Sequence, residues 1–131
     1  MKRFTISVLA FSCLFISCAN IKMLTPEDIY SKDFLLKMDQ IQEVYKSGNK
    51  MAATAQLKSL NDSNLSEAER GKKLNFLGII AFSDGNFAEA SEYFSRAKGL
   101  VRLDKALASQ TRLNLASSYF KLEKFQLAFN T

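Results

Sequence analysis

The chain has 131 residues, 47% of them hydrophobic and 24% charged, with a formal net charge of +5 at pH 7. That is room for one small domain, of ordinary globular composition, which excludes wholesale disorder. With no His, and with both Cys within the first twenty positions, the body of the chain lacks an imidazole base, a His or Cys metal ligand and a thiol nucleophile.

Only five Gly and one Pro stand among plentiful Ala, Leu, Lys, Glu and Ser, a mixture that favours helix over sheet. Lys2 and Arg3 carry two of the net charges and leave +3 on the rest. The Lys and Arg residues there alternate with Glu and Asp, as on solvated helix faces, so no nucleic-acid partner is expected.

In chain order, Met1-Lys2-Arg3 is a short positive head, followed over residues 4–16 by an uncharged run rich in Phe, Leu, Ile and Val. A run of about thirteen residues has the length of a signal-peptide core, whereas a spanning helix needs about twenty. It ends at Phe15-Ile16-Ser17-Cys18. A small residue directly before a Cys at the end of such a run resembles the lipobox of bacterial lipoproteins. The resemblance implies a signal peptide over residues 1–17, acylation of Cys18, a tether over residues 18–25, and a body anchored by lipid at the cell envelope. Which membrane and which face stay open. Three positions before the Cys, where an aliphatic residue is usual, stands Phe15, a loosening similar to that of spirochaete lipoproteins. Cys13, preceded by Ala10-Phe11-Ser12, is a rival cleavage point with a shorter apolar run; an ordinary signal peptide or an uncleaved anchor is the alternative. At roughly 3.4 Å per extended residue, residues 19–24 of the tether reach about 20–25 Å, which keeps the folded part close to the membrane.

Helical signals begin at Thr25-Pro26-Glu27-Asp28, where Thr25 is a cap, Pro26 suits the first helical position and Asp28 faces the free amides. Ser47-Gly48-Asn49 and Ser83-Asp84-Gly85-Asn86 read as tight turns closed by a left-handed Gly. Asn61-Asp62-Ser63-Asn64 reads as a looser loop, and Ser66-Glu67-Ala68-Glu69 as a capping box opening the next helix. Strand-like alternation is missing.

The chain also resembles itself. Gly48 and Gly85 are 37 positions apart, as are Ala53 and Ala90, and Leu57 and Phe94; Phe87 and Phe125, like Ala90 and Ala128, are 38 apart. In the middle unit Leu74, Leu77-Gly78, Gly85, Phe87, Ala90, Phe94 and Ala97 fall on the spacing of the tetratricopeptide repeat, which this unit resembles. Even six such matches, at about one in ten each, would arise roughly once in 10⁶ per register. Small Gly78 and Ala90 let the two helices of a hairpin approach, while Leu77 and Phe94 fill the space between hairpins. The third unit matches in Leu115, Ala116, Tyr119, Phe125 and Ala128, with Glu123 at the turn Gly position and an extra helical turn near residues 100–105. The first unit is degenerate, with Gly48, Ala53 and Leu57 alone, and the late Pro of the family is absent throughout. The divisions are a degenerate hairpin over residues 26–70, a repeat over 71–104 and a carboxyl-terminally truncated repeat over 105–131. A generic helical bundle is the alternative.

The expectation is therefore an all-α stack of two to three helical hairpins, a short right-handed solenoid that acts as a binding module and not as an enzyme, without cofactor or metal. No Gly-rich phosphate loop, metal-ligand cluster or Ser/His pair points to catalysis. Glu67 with Glu69, and Glu89 with Glu92, read as capping and helix-surface carboxylates. By the register of the resemblance, a concave face for a protein or peptide partner is lined by Lys72, Asn75, Ile79 and Phe82, then Gln110, Leu113, Ser117 and Phe120, with Met38, Gln42 and Tyr45 from the first unit. The Lys/Asn/Arg set with which some family members grip a terminal carboxylate is not reproduced. Phe120, Phe125, Leu127 and Phe129 crowd the end of the third unit, so self-association there, or a scaffolding role in an envelope assembly, is a second expectation.

Overall fold

The computed structural model describes residues 24–131, and the expected signal peptide, Cys13, Cys18 and most of the expected tether lie outside the described residues. Within them the chain is all-α: α1 (Pro26–Ile29), α2 (Lys32–Lys46), α3 (Lys50–Ser59), α4 (Glu67–Ser83), α5 (Phe87–Lys98), α6 (Lys105–Lys121) and α7 (Phe125–Phe129), with a 3₁₀ turn at Asp62–Asn64 and, among the described residues, no strand.

Three turns set the pattern. Gly48 and Gly85 have φ of 89° and 80°, and the residue after each sends its N–H back five positions, from Asn49 to the Val44 carbonyl and from Asn86 to that of Ala81. This 6→1 closure stops one helix and starts the next within three residues. The third turn is built in the same way with a different residue: Glu123 has φ 58°, and Lys124 N–H donates to the Tyr119 carbonyl at 2.9 Å. A side chain in the left-handed region costs roughly 1–2 kcal/mol. After the extra backbone entropy of Gly, Glu123→Gly is expected to stabilise the domain by about 0.5–1 kcal/mol, read as a higher urea midpoint at unchanged slope. A lower midpoint would mean that the Glu123 side chain contributes something its exposure does not reveal.

The helix expected from Pro26 onward is interrupted. After one turn Tyr30 is extended (φ −120°, ψ 145°) and Ser31 caps α2, its hydroxyl accepting from the Phe34 amide. The break follows from tertiary bonds: the Tyr30 hydroxyl donates to Asp104 at 2.9 Å, and the Ser31 amide and hydroxyl both donate to Glu69, at 2.9 and 2.6 Å.

α4 is the central element. From Leu74 to Phe82 its sequence is apolar nearly all round, the mark of a helix covered on several sides, and ten residues of α4 are buried, among them Leu74, Leu77, Gly78 and Ile80. Leu77 and Ile80 join Phe34, Met38 and Ile41 of α2 and Ala53 and Leu57 of α3 in one core; Ala81 joins Ala90 and Phe94 of α5 and Leu115 of α6 in a second. The small residue at position 78 is required sterically: a Cβ there would stand 2.6 Å from a ring carbon of Phe94. Gly71, which no motif singles out, is equally constrained, since its Cβ would meet Val101 at 2.6 Å and Leu100 at 2.9 Å. The residues between α5 and α6 form two non-helical turns over positions 99–104, not the extra helical turn expected near 100–105. Fully buried Val101 packs over Gly71, and that contact holds the segment out of helix.

Polar groups inside the packing are satisfied locally. Fully buried Ser118 donates to the Asn114 carbonyl at 2.9 Å, four residues back in its own helix. Lys73, buried on α4, donates to the Leu60 carbonyl at 2.6 Å and to Asp62 at 2.7 Å, and so pins the chain between α3 and α4.

Candidate functional site

The first helices of the three hairpins, α2, α4 and α6, begin at the same end of the molecule, and two side chains hold them there. Glu69 is 5% exposed, with Oε1 accepting from Ser31 at the start of α2 and Oε2 accepting from the Ser66 amide, at 2.8 Å, at the start of α4. Burial by itself raises its pKa, but the hydrogen bonds from Ser31 and Ser66 outweigh that and hold it below the ordinary carboxylate value. Asp104 works similarly at α6: Oδ1 accepts from the Leu107 amide as a cap, and Oδ2 accepts from Tyr30. Burial first, then the Asp104 hydrogen bond and charge, raise the Tyr30 pKa well above its usual value. Lys72 places its ammonium 4.4 Å from the centre of the Tyr30 ring.

Beyond this clasp the three helices enclose a cleft of about 210 Å³ lined by Leu35, Met38 and Gln42 of α2, Lys72, Asn75, Phe76 and Ile79 of α4, and Leu107 of α6, with Asp39 at its edge. A second cleft of about 120 Å³ continues along α4 between Ile79, Phe82, Phe94, Asn114 and Ser117. Ile79 is the wall common to both. The floor is apolar, and the polar side chains around it are the amides Gln42, Asn75 and Asn114 with Asp39, Lys72 and Ser117, a surface suited to holding side chains. Tyr45 meets Phe76 edge-on, ring centres 5.5 Å apart, beside the first cleft.

Five of the eight expected partner residues, Lys72, Asn75, Ile79, Phe82 and Ser117, thus line the two clefts. Asn75 has a further role: it is buried, and the single proton of the fully buried Thr111 hydroxyl is shared between the Leu107 carbonyl (2.7 Å) and the Asn75 oxygen (3.0 Å), joining α4 to α6. Gln110, Leu113 and Phe120 line neither cleft. Gln110 donates to Asn114 along the surface of α6, and Leu113 and Phe120 are largely exposed. Of the residues expected to shape the repeats, Ala90, Phe94, Ala97 and Leu115 are buried, Ala116, Tyr119 and Ala128 half-buried, and Gly85 sits in its exposed turn. Sequence reasoning missed the clasp of Tyr30, Ser31, Glu69 and Asp104; the capping box revealed half of Glu69's role, and nothing local signalled the rest.

A polar cleft of about 370 Å³ opens at the clasp itself, between the start of α2 and the end of α3, lined by Ser31 and Glu69 together with Asp33, Lys37, Asn61 and Asn64 among others. Among the described residues no group of three or more His, Cys, Asp or Glu could hold a metal ion, and no helix is long and apolar enough to cross a membrane. The chain matches no protein-family model, no curated protein and no solved structure.

Proposed function

We propose that the chain is a tetratricopeptide-type binding module, held at a bacterial cell envelope by a lipid on Cys18, that takes an extended or helical segment of a protein partner along α2, α4 and α6. The observation that carries this reading is the pair of clefts sharing Ile79, assembled from side chains up to 82 positions apart, Leu35 on α2 and Ser117 on α6. Apolar floors with amide edges accept side chains of a bound segment and hydrogen-bond its backbone. The repeat spacing of Gly48, Gly85 and Glu123 supports a stack of similar hairpins. A lipid would keep the clefts within a tether's reach of the membrane.

The test places a photo-crosslinking amino acid at Gln42 and at Ser117, both exposed beside the clefts, and at Gln56 and Ser95, exposed on the second helices. The expected result is one discrete adduct from the first two positions and none from the others. Ile79→Lys is expected to lower the adduct yield at least about tenfold, because a central anchor contact is worth about 2 kcal/mol. Equal adducts from all four positions, or none, sink the binding reading. Fatty-acid labelling lost in Cys18→Ala tests the anchor separately.

A further inference from the structure

The excess positive charge of the described chain is confined to its last unit. Residues 24–104 contain twelve acidic and eleven basic side chains, whereas residues 105–131 contain Lys105, Arg112, Lys121 and Lys124 against Glu123 alone. Within the same unit lie five large apolar side chains turned to solvent: Leu113 (63% exposed), Phe120 (61%), Phe125, Leu127 and Phe129 (88%). Leu113 and Phe120 are two turns apart on one face of α6, and the Phe120 and Phe125 rings meet edge-on with centres 5.4 Å apart, so the patch runs from α6 onto α7. Neither cleft of the binding site is lined by any of the five. Among the described residues Lys105, Arg112 and Lys124 make no ion pair.

We infer that this basic, aromatic surface docks on an anionic lipid bilayer, with the Phe and Leu side chains entering the headgroup boundary and Lys105, Arg112 and Lys124 facing lipid phosphates. Charge complementarity selects the occupant. Cations around exposed Phe and Leu are the pattern of an interfacial contact, each cation near an anionic surface strengthening binding about fivefold. The geometry of the rest of the fold agrees. Tyr30, six residues after the first described residue, bonds Asp104 at the start of α6, so the chain arrives beside one end of α6, and the helix runs about 25 Å away from it with the apolar stripe on its far half. A domain tethered there lies flat, α6 downward, with α2 and the first cleft turned aside. The inference concerns a surface outside the clefts and stands if the crosslinking test fails.

The chain has no Trp, so single-Trp variants report locally. Phe129→Trp and Leu113→Trp, in the full chain reconstituted with vesicles of phosphatidylcholine containing 30% phosphatidylglycerol, are expected to shift emission to the blue and to be quenched by brominated lipid. Met51→Trp, on the equally exposed α3 side chain (85%) of the first hairpin, is expected to do neither. Neutralising Lys105, Arg112 and Lys124 together to Gln weakens the contact by about a hundredfold and removes the quenching, as does 0.5 M salt. Two results overturn the proposal. One is quenching of Met51→Trp equal to that of Phe129→Trp. The other is a blue shift of Phe129→Trp that depends on protein concentration and not on lipid, which would assign the patch to a second copy of the chain.

Discussion

Gly78→Val is expected to cost about 2–3 kcal/mol, a large part of the total for a domain of this size. The reason is local and steric. The Phe94 ring is 1% exposed and lies against position 78 with three of its carbons 2.6, 2.8 and 2.9 Å from where a Cβ would stand. The ring also packs with Ala81, Ala90 and Leu115, so moving it away from position 78 sacrifices those contacts. Phe94→Leu alone is expected to cost about 1–2 kcal/mol through lost contacts. The two together should cost clearly less than their sum, because the smaller side chain leaves space for the added methyls; a coupling of about 1 kcal/mol or more is expected. Urea denaturation of the four proteins of the cycle measures it. Strict additivity would mean that position 78 is not opposed by Phe94, and the small-residue account of the α4–α5 hairpin would go with it.

The second large effect belongs to Glu69 and depends on pH. Glu69→Gln keeps the shape but replaces one acceptor oxygen with a donor that faces the N–H and O–H groups of Ser31 and Ser66. Hydrogen bonds to a charged acceptor are worth about 1.5–3 kcal/mol each, so a net loss of about 2–3 kcal/mol at pH 7 is expected. Folding lowers the Glu69 pKa, so the unfolded chain binds the proton more tightly. The stabilisation it contributes is therefore complete above the unfolded value of about 4.3 and is lost as pH falls through the lower, folded one. The stabilities of the wild type and Glu69→Gln should converge below that pH. A gap between their urea midpoints that stays constant from pH 7 to pH 2 would show that shape, not charge, is what Glu69 supplies. Since Ser31 and Glu69 both line the polar cleft between α2 and α3, losing this clasp is also expected to loosen that cleft.

The features legible in sequence are those encoded within a few residues. Ser66 and Glu69 stand at capping-box spacing, and the box is formed. Gly48 and Gly85 stand where a helix must reverse, and both take the left-handed conformation. Leu77 and Phe94, expected to fill space in the packing, are both buried, although only the structure shows that they enter different cores. Even the departure at Glu123 was visible as a position out of keeping with its counterparts, although only the backbone showed that Glu adopts the turn of Gly.

By itself the sequence determined the helical class, the turn positions and the small-residue contacts, because helix periodicity, capping and left-handed Gly act through neighbours three to five positions apart. Only the tertiary structure decided that Tyr30 breaks the first helix to reach Asp104, 74 positions away, and that Glu69 serves Ser31, 38 positions away. It alone set Gly71 beneath Val101 and buried Asn75 against Thr111. It also left Leu113 and Phe120 in solvent, outside the clefts. A single helix carries the same apolar period whether its stripe meets another helix, a partner or a bilayer, so which of these covers it is fixed by the packing of the other elements and not by the stripe.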